Sequence, residues 1–202
     1  MSSKRYLTKS RLKEGLECPT KLFYSKNSEY QNNQKDDPFL ESLAEGGYQV
    51  EELAKFLISN QPYQDNITVE SLDYEESLKM TKLKLQNEIV SIAQPAFLFK
   101  NLFIRVDLLR KDKNSLTIYE VKSKSWGYEG VDDQEFRVFI KEYKQGLNKG
   151  KRVIDPNWKF YMYDIAFQRY VVKNLFPEME VKTNLVLADK LTKTSTDGLN
   201  QF

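Results

Sequence analysis

The chain has 202 residues, 40% of them hydrophobic and 13% aromatic, which suffices for one domain with a real core; its net charge of +2 excludes a polycation that coats nucleic acid by charge alone. It has no histidine and one cysteine, Cys18, which excludes Ser-His and Cys-His catalysis, imidazole zinc sites and an internal disulfide, and leaves carboxylates, lysines, tyrosines or an oxygen-held metal to do chemistry. No apolar run approaches membrane-spanning length and none follows the charged first residues, so a cytoplasmic protein with no signal peptide and no membrane partner is expected.

In chain order, residues 3–24 predict two short helices around a Cys18-Pro19 turn, with Thr8 as N-cap of the first. Leu12, Leu16, Leu22 and Phe23 are expected to bury, and Cys18 to sit among them as a small hydrophobe. A polar loop follows to Asp37. Pro38 then opens a helix over 39–59, with an apolar stripe of Leu43, Val50, Leu53, Ala54 and Leu57. Gly46-Gly47 interrupts that helix, which predicts close approach of another backbone or of a ligand. After a turn-rich link with a short strand at 67–70, Asp73 caps a helix to about Asn87, with Leu78, Thr81 and Leu85 inward. Strands at 89–93, 97–99, 102–109 and 115–123 form an antiparallel meander.

Residues 124–157 read as a long connection with a helix around Phe136, Val138, Phe139 and Tyr143, then a basic turn carrying Lys149, Lys151 and Arg152. An aromatic helix spans 158–175 and places Asp164 and Gln168 on one face. A last strand covers 180–188 and joins the central sheet, before a polar tail from about 189. The fold expected is α/β, with a mixed central sheet of four or five strands flanked by helices.

The stretch 102–123 holds the chemistry. Its two strands are joined by a polar turn, so pairing can set Asp107 beside Glu120, while Lys122 shares Glu120's face and Val121 points away. Two close carboxylates repel unless a cation neutralises them, and Mg²⁺ accepts such oxygen ligands. A lysine beside them can hold an attacking water or offset charge on phosphate. Arg105, two residues before Asp107, is expected on the same face, to pair with a carboxylate or contact phosphate. Two basic stretches, 1–26 and 141–159, flank the carboxylates and suit a phosphate backbone.

These residues carry a resemblance. RVD, a turn and YEVKS resemble the core of the PD-(D/E)XK nuclease superfamily, in the RecB-like branch that includes the CRISPR-adaptation nucleases; Val106-Asp107 stands where Pro-Asp is usual. LTKSRLKEGLECPTKLFY, EGGYQVEELAKFL and YDIAFQRYVV are similar to further blocks of that branch, in the same order. The likeness is nearest to bacterial proteins that join such a domain to an uncharacterised C-terminal domain, which this chain would then lack. It implies a restriction-endonuclease-like core over 1–202, with an insertion at about 124–157. It also implies Mg²⁺- or Mn²⁺-dependent cleavage of nucleic acid, DNA before RNA.

In that scheme Asp107 and Glu120 hold the metal, the Val121 carbonyl completes the shell and Lys122 positions water. Glu51 would be a third ligand, with Glu52 and Glu45 as alternatives. Gln168 matches the first position of a Q-x-x-x-Y helix, whose tyrosine is replaced here by Val172. Iron–sulfur ligation, seen in the CRISPR-adaptation relatives, is excluded because Cys18 has no companion cysteines. The alternative reading is a nuclease fold that binds nucleic acid or a partner without cutting.

Overall fold

The computed structural model describes residues 5–25, 29–30, 38–58, 66–126, 139–143, 145–189 and 191. The first helices form as expected: α1 (Lys9–Glu17), with Thr8 accepting from the Arg11 N–H at 3.4 Å, and α2 (Pro19–Tyr24). Then come α3 (Pro38–Ile58), β1 (Asn66–Thr68) and α4 (Tyr74–Lys84), the last capped by Asp73 accepting from the Glu76 N–H at 2.9 Å. The strands β2 (Ile89–Ala93), β3 (Ala96–Phe99), β4 (Leu102–Arg105), β5 (Leu108–Asp112) and β6 (Ser115–Trp126) follow. The chain continues through β7 (Ile140–Glu142), β8 (Arg152–Ile154), α5 (Pro156–Leu175) and β9 (Glu180–Asp189).

The central sheet is mixed and five-stranded, in the order β1-β2-β5-β6-β9, with β1 parallel to β2 and β9 parallel to β6. Helices cover both faces. Ala54 and Ile58 of α3 pack on Ala93, Leu108 and Val121. Val171 and Val172 of α5 pack on the opposite face, with Ile92, Leu109, Leu116 and Ile118. The alternation of β6 sorts these residues: Leu116, Ile118 and Glu120 turn toward α5, Tyr119 and Val121 toward α3. Among the described residues no helix is long and apolar enough to cross a membrane.

The meander needs one correction that matters for the site. Residues 102–109 are not a single strand. β4 pairs only with β3, in a separate ribbon, whereas β5 pairs with β2 and β6. The register is continuous across the break, from Ala93↔Leu108 to Ala96↔Arg105, so 89–112 is one long hairpin bent at Gln94-Pro95 and Val106-Asp107. Gln94, at φ 56°, takes the bend on one arm, and its N–H donates to the Asp107 carbonyl at 2.9 Å. Pro95 has no N–H to give to a ladder, which suits it to this corner.

Other expectations also change. Cys18 is exposed, and Leu16 and Phe23 are 48% and 73% exposed, because α1 and α2 present only part of their apolar face to the body. Leu53 points outward at 57%, while Val50 and Ala54 face the sheet. A Cβ on Gly46 or Gly47 would meet no atom of the described residues within 4 Å, so no backbone among them explains the pair. Of the helix expected through Phe136, Val138, Phe139 and Tyr143, Phe139 is helical, and the chain then passes directly into the short β7–β8 ribbon, where Ile140 to Glu142 pair with 152–154. Phe136, Val138 and the tail from 192 lie outside the described residues.

Candidate active site

The β5–β6 register, Leu108↔Tyr119, puts Asp107 opposite Glu120 at the point where the hairpin bends away. Leaving the ladder frees the Asp107 carboxylate to turn across to β6, where its Oδ2 accepts from the Val121 N–H at 2.8 Å. Val121 thus enters the site through its amide hydrogen. Glu120 is fully buried, and an unpaired carboxylate there would be very unfavourable. Three groups compensate it: Lys122 from two residues along β6, Gln168 Nε2 from α5, and Lys9 Nζ from α1, at 3.0 Å from Oε2 and 3.3 Å from Oε1.

Lys9 is the residue that sequence reasoning missed. It was visible only as one of many lysines in a basic first stretch, and no spacing rule ties it to a hairpin 111 residues away. Its ammonium lies between the two acids, 3.6 Å from Asp107 Oδ1 as well as 3.0 Å from Glu120. Asp164 closes the other side, 3.7 Å from Lys122 and 3.1 Å from Gln168 Nε2. It sits one turn before Gln168 on α5, and that spacing was its signal.

Charges in the cluster set one another's protonation. Burial pushes Glu120 up, but the Lys9 and Lys122 charges and the bonds from Lys122 and Gln168 hold its pKa down at about 2. Asp164 goes the other way, to about 6, because burial and the neighbouring Glu120 charge disfavour its ionised form. Burial also raises Asp107, against the pull of Lys9. For Lys9 and Lys122, burial favours the neutral amine, yet the surrounding carboxylates keep both ammonium groups above their ordinary range.

The remaining candidates divide. Gln168 is in the site, wholly buried, and its Oε1 has no hydrogen-bond donor among the described residues. Val172, at the missing tyrosine position, is core, and Tyr170 is 53% exposed. Glu51 reaches only the rim: it accepts from Gln94 Nε2 at the bend, and burial raises its pKa, with the Asp107 charge adding to this. Glu52 pairs with Lys55 on its own helix, and Glu45 is exposed. Arg105 does not join Asp107. The bend between them sends its guanidinium to the Val69 and Ser71 carbonyls, at 3.3 and 2.6 Å. Lys149, Lys151 and Arg152 are exposed at the β7–β8 turn.

The donor set fits a hard divalent ion, which needs only one or two protein carboxylates and otherwise keeps water. Asp107 Oδ1 and the Glu120 carboxylate already share one cation, the Lys9 ammonium, and the orphaned Gln168 Oε1 could accept from a bound water. Among the described residues, no group of three acids or cysteines forms a ready-made cage. A cleft of about 360 Å³ between α1 and α5 opens onto Lys9, Lys122 and Asp164, so the cluster can be reached from solvent. In comparisons with known proteins, no family model, no curated protein and no solved structure matches this chain.

Proposed function

We propose that this chain is a metal-dependent nuclease of the PD-(D/E)XK type, built on a restriction-endonuclease-like core and cleaving DNA in preference to RNA in the cytoplasm. The observation that carries the reading is the placement of Asp107 against Glu120 with a single cation spanning them and Lys122 alongside. Asp107 and Glu120 would hold Mg²⁺ or Mn²⁺, with Glu51 at the rim. When bound, such an ion supplies Lewis acidity to water and to the phosphodiester. The Val121 N–H fixes the Asp107 carboxylate, and Gln168 fixes Glu120, so both acids are oriented in advance. Lys122, in the mouth of the cleft, would position the attacking water or steady negative charge on phosphate.

The test is cleavage of linear duplex and single-stranded DNA with Mn²⁺, repeated with Asp107→Ala and Lys122→Ala. Loss of cutting in both variants is expected. Equal cutting by the variants would assign the activity to a contaminant. A second reading, a nuclease fold that binds without cutting, has one observation in its favour: the position between the acids is already taken by Lys9. It predicts no Mn²⁺ binding that depends on Glu120, which titration calorimetry reads directly.

A further inference from the structure

We propose that Lys9 is a built-in counter-cation of the site: its ammonium holds the place between Asp107 and Glu120 that a divalent ion would take, so seating of Lys9 and of the ion exclude each other. This rests on the metal-site reading above and adds to it a regulatory element that the carboxylates alone do not contain. The geometry is direct. Lys9 Nζ touches both Glu120 oxygens and lies 3.6 Å from Asp107 Oδ1. Asp107 Oδ2 is committed to the Val121 N–H, Glu120 Oε1 also receives Lys122 and Glu120 Oε2 also receives Gln168, so what is left for an ion is Asp107 Oδ1 and the side of the Glu120 carboxylate that Lys9 now occupies.

An ion entering there meets a like charge within bonding range and must displace it. Lys9 has somewhere to go. It is the first residue of α1, its side chain is 23% exposed, and it lines the cleft between α1 and α5. Moved into that cleft, the amine would stand beside Lys13, where an incoming phosphate would meet both. The exchange keeps Glu120 neutralised throughout: the ammonium guards a buried carboxylate when no ion is bound, and the ion replaces it.

The experiment compares Mn²⁺ binding by calorimetry in the wild-type chain, Lys9→Met, the milder Lys9→Gln, and Glu120→Gln as the site control. Removing the competing charge-assisted bonds should tighten Mn²⁺ binding by about ten- to a hundredfold in the Lys9 variants. A readout on the unmodified chain accompanies it, so the idea does not depend on the variants folding. Amine acylation followed by mass spectrometry should show Lys9 labelling rise when Mn²⁺ is added and fall back with chelator. Equal or weaker Mn²⁺ binding by the Lys9 variants, or Lys9 labelling that ignores Mn²⁺, overturns the exchange while leaving the metal site standing. No Mn²⁺ binding by any of the proteins overturns both.

Discussion

The two basic stretches of this chain look alike in sequence and end in opposite circumstances. From the first, Lys9 is drawn into a cluster with wholly buried Glu120, and Arg5 and Arg11 donate to the backbone carbonyls of Leu22 and Tyr6. From the second, Lys149, Lys151 and Arg152 stand exposed on the turn of a two-stranded ribbon. The difference is whether a desolvated acid waits opposite. Where one does, removal from water makes pairing compulsory and the geometry over-determined; where none does, water and salt weaken any interaction.

The largest effect should come from breaking the buried side of that contrast. Glu120→Ala leaves Lys9 and Lys122 facing each other without the carboxylate between them, and should cost about 3 kcal/mol of stability by urea denaturation. Exchanging the exposed residues Lys149, Lys151 and Arg152 for Ala should cost less than about 0.5 kcal/mol at each position. Equal losses in the two regions would abolish the distinction.

Gln168→Ala comes next. It strips Glu120 of one donor and should cost about 1–3 kcal/mol, the penalty for a buried acceptor left short of a partner.

The dependence on pH sharpens the comparison inside the cluster itself. Glu120 has a folded pKa of about 2, below its ordinary 4.5, so its contribution is present above pH 4.5 and fades as pH falls toward 2. Asp164, raised from 3.8 to about 6, does the reverse: stability it contributes when protonated is lost as pH rises from about 4 to 6. In chemical denaturation across pH, Glu120→Gln should flatten the acid limb, and Asp164→Asn should gain on the wild type between pH 4 and 6. Parallel curves for Asp164→Asn and the wild type would show that Asp164 titrates normally.

The smallest effect on the fold, and the one that tests the exposed region, is on binding. If the ribbon tracks a phosphate backbone, the triple Ala variant should bind DNA less tightly and with a shallower salt dependence, by about 0.9 in the log–log slope for each phosphate that is no longer neutralised. Unchanged affinity removes the ribbon from the interface.

How far the sequence reached can be judged from particular residues. Apolar alternation over 115–123 and the polar turn before it were enough to pair the strands and set Asp107 beside Glu120, because a strand's two faces are a matter of local geometry. Thr8 and Asp73 marked helix starts for the same local reason. The bend at Val106-Asp107 was not legible, since every second residue of 102–109 stays apolar through it (Leu102, Ile104, Val106, Leu108); it exists because β3 and β4 leave the central sheet as a pair. That one departure turns Arg105 away and frees Asp107.

What the sequence determined by itself, then, was the hairpin with its acids and lysine, the run of helices and the existence of the last strand, all of which depend on neighbours in the chain. What only the tertiary structure decided was the company those acids keep: Lys9 from the first helix, and Gln168 and Asp164 from the last. Those partners are selected by the cost of leaving Glu120 buried and uncompensated, a force that acts across space and leaves no periodic mark along the chain.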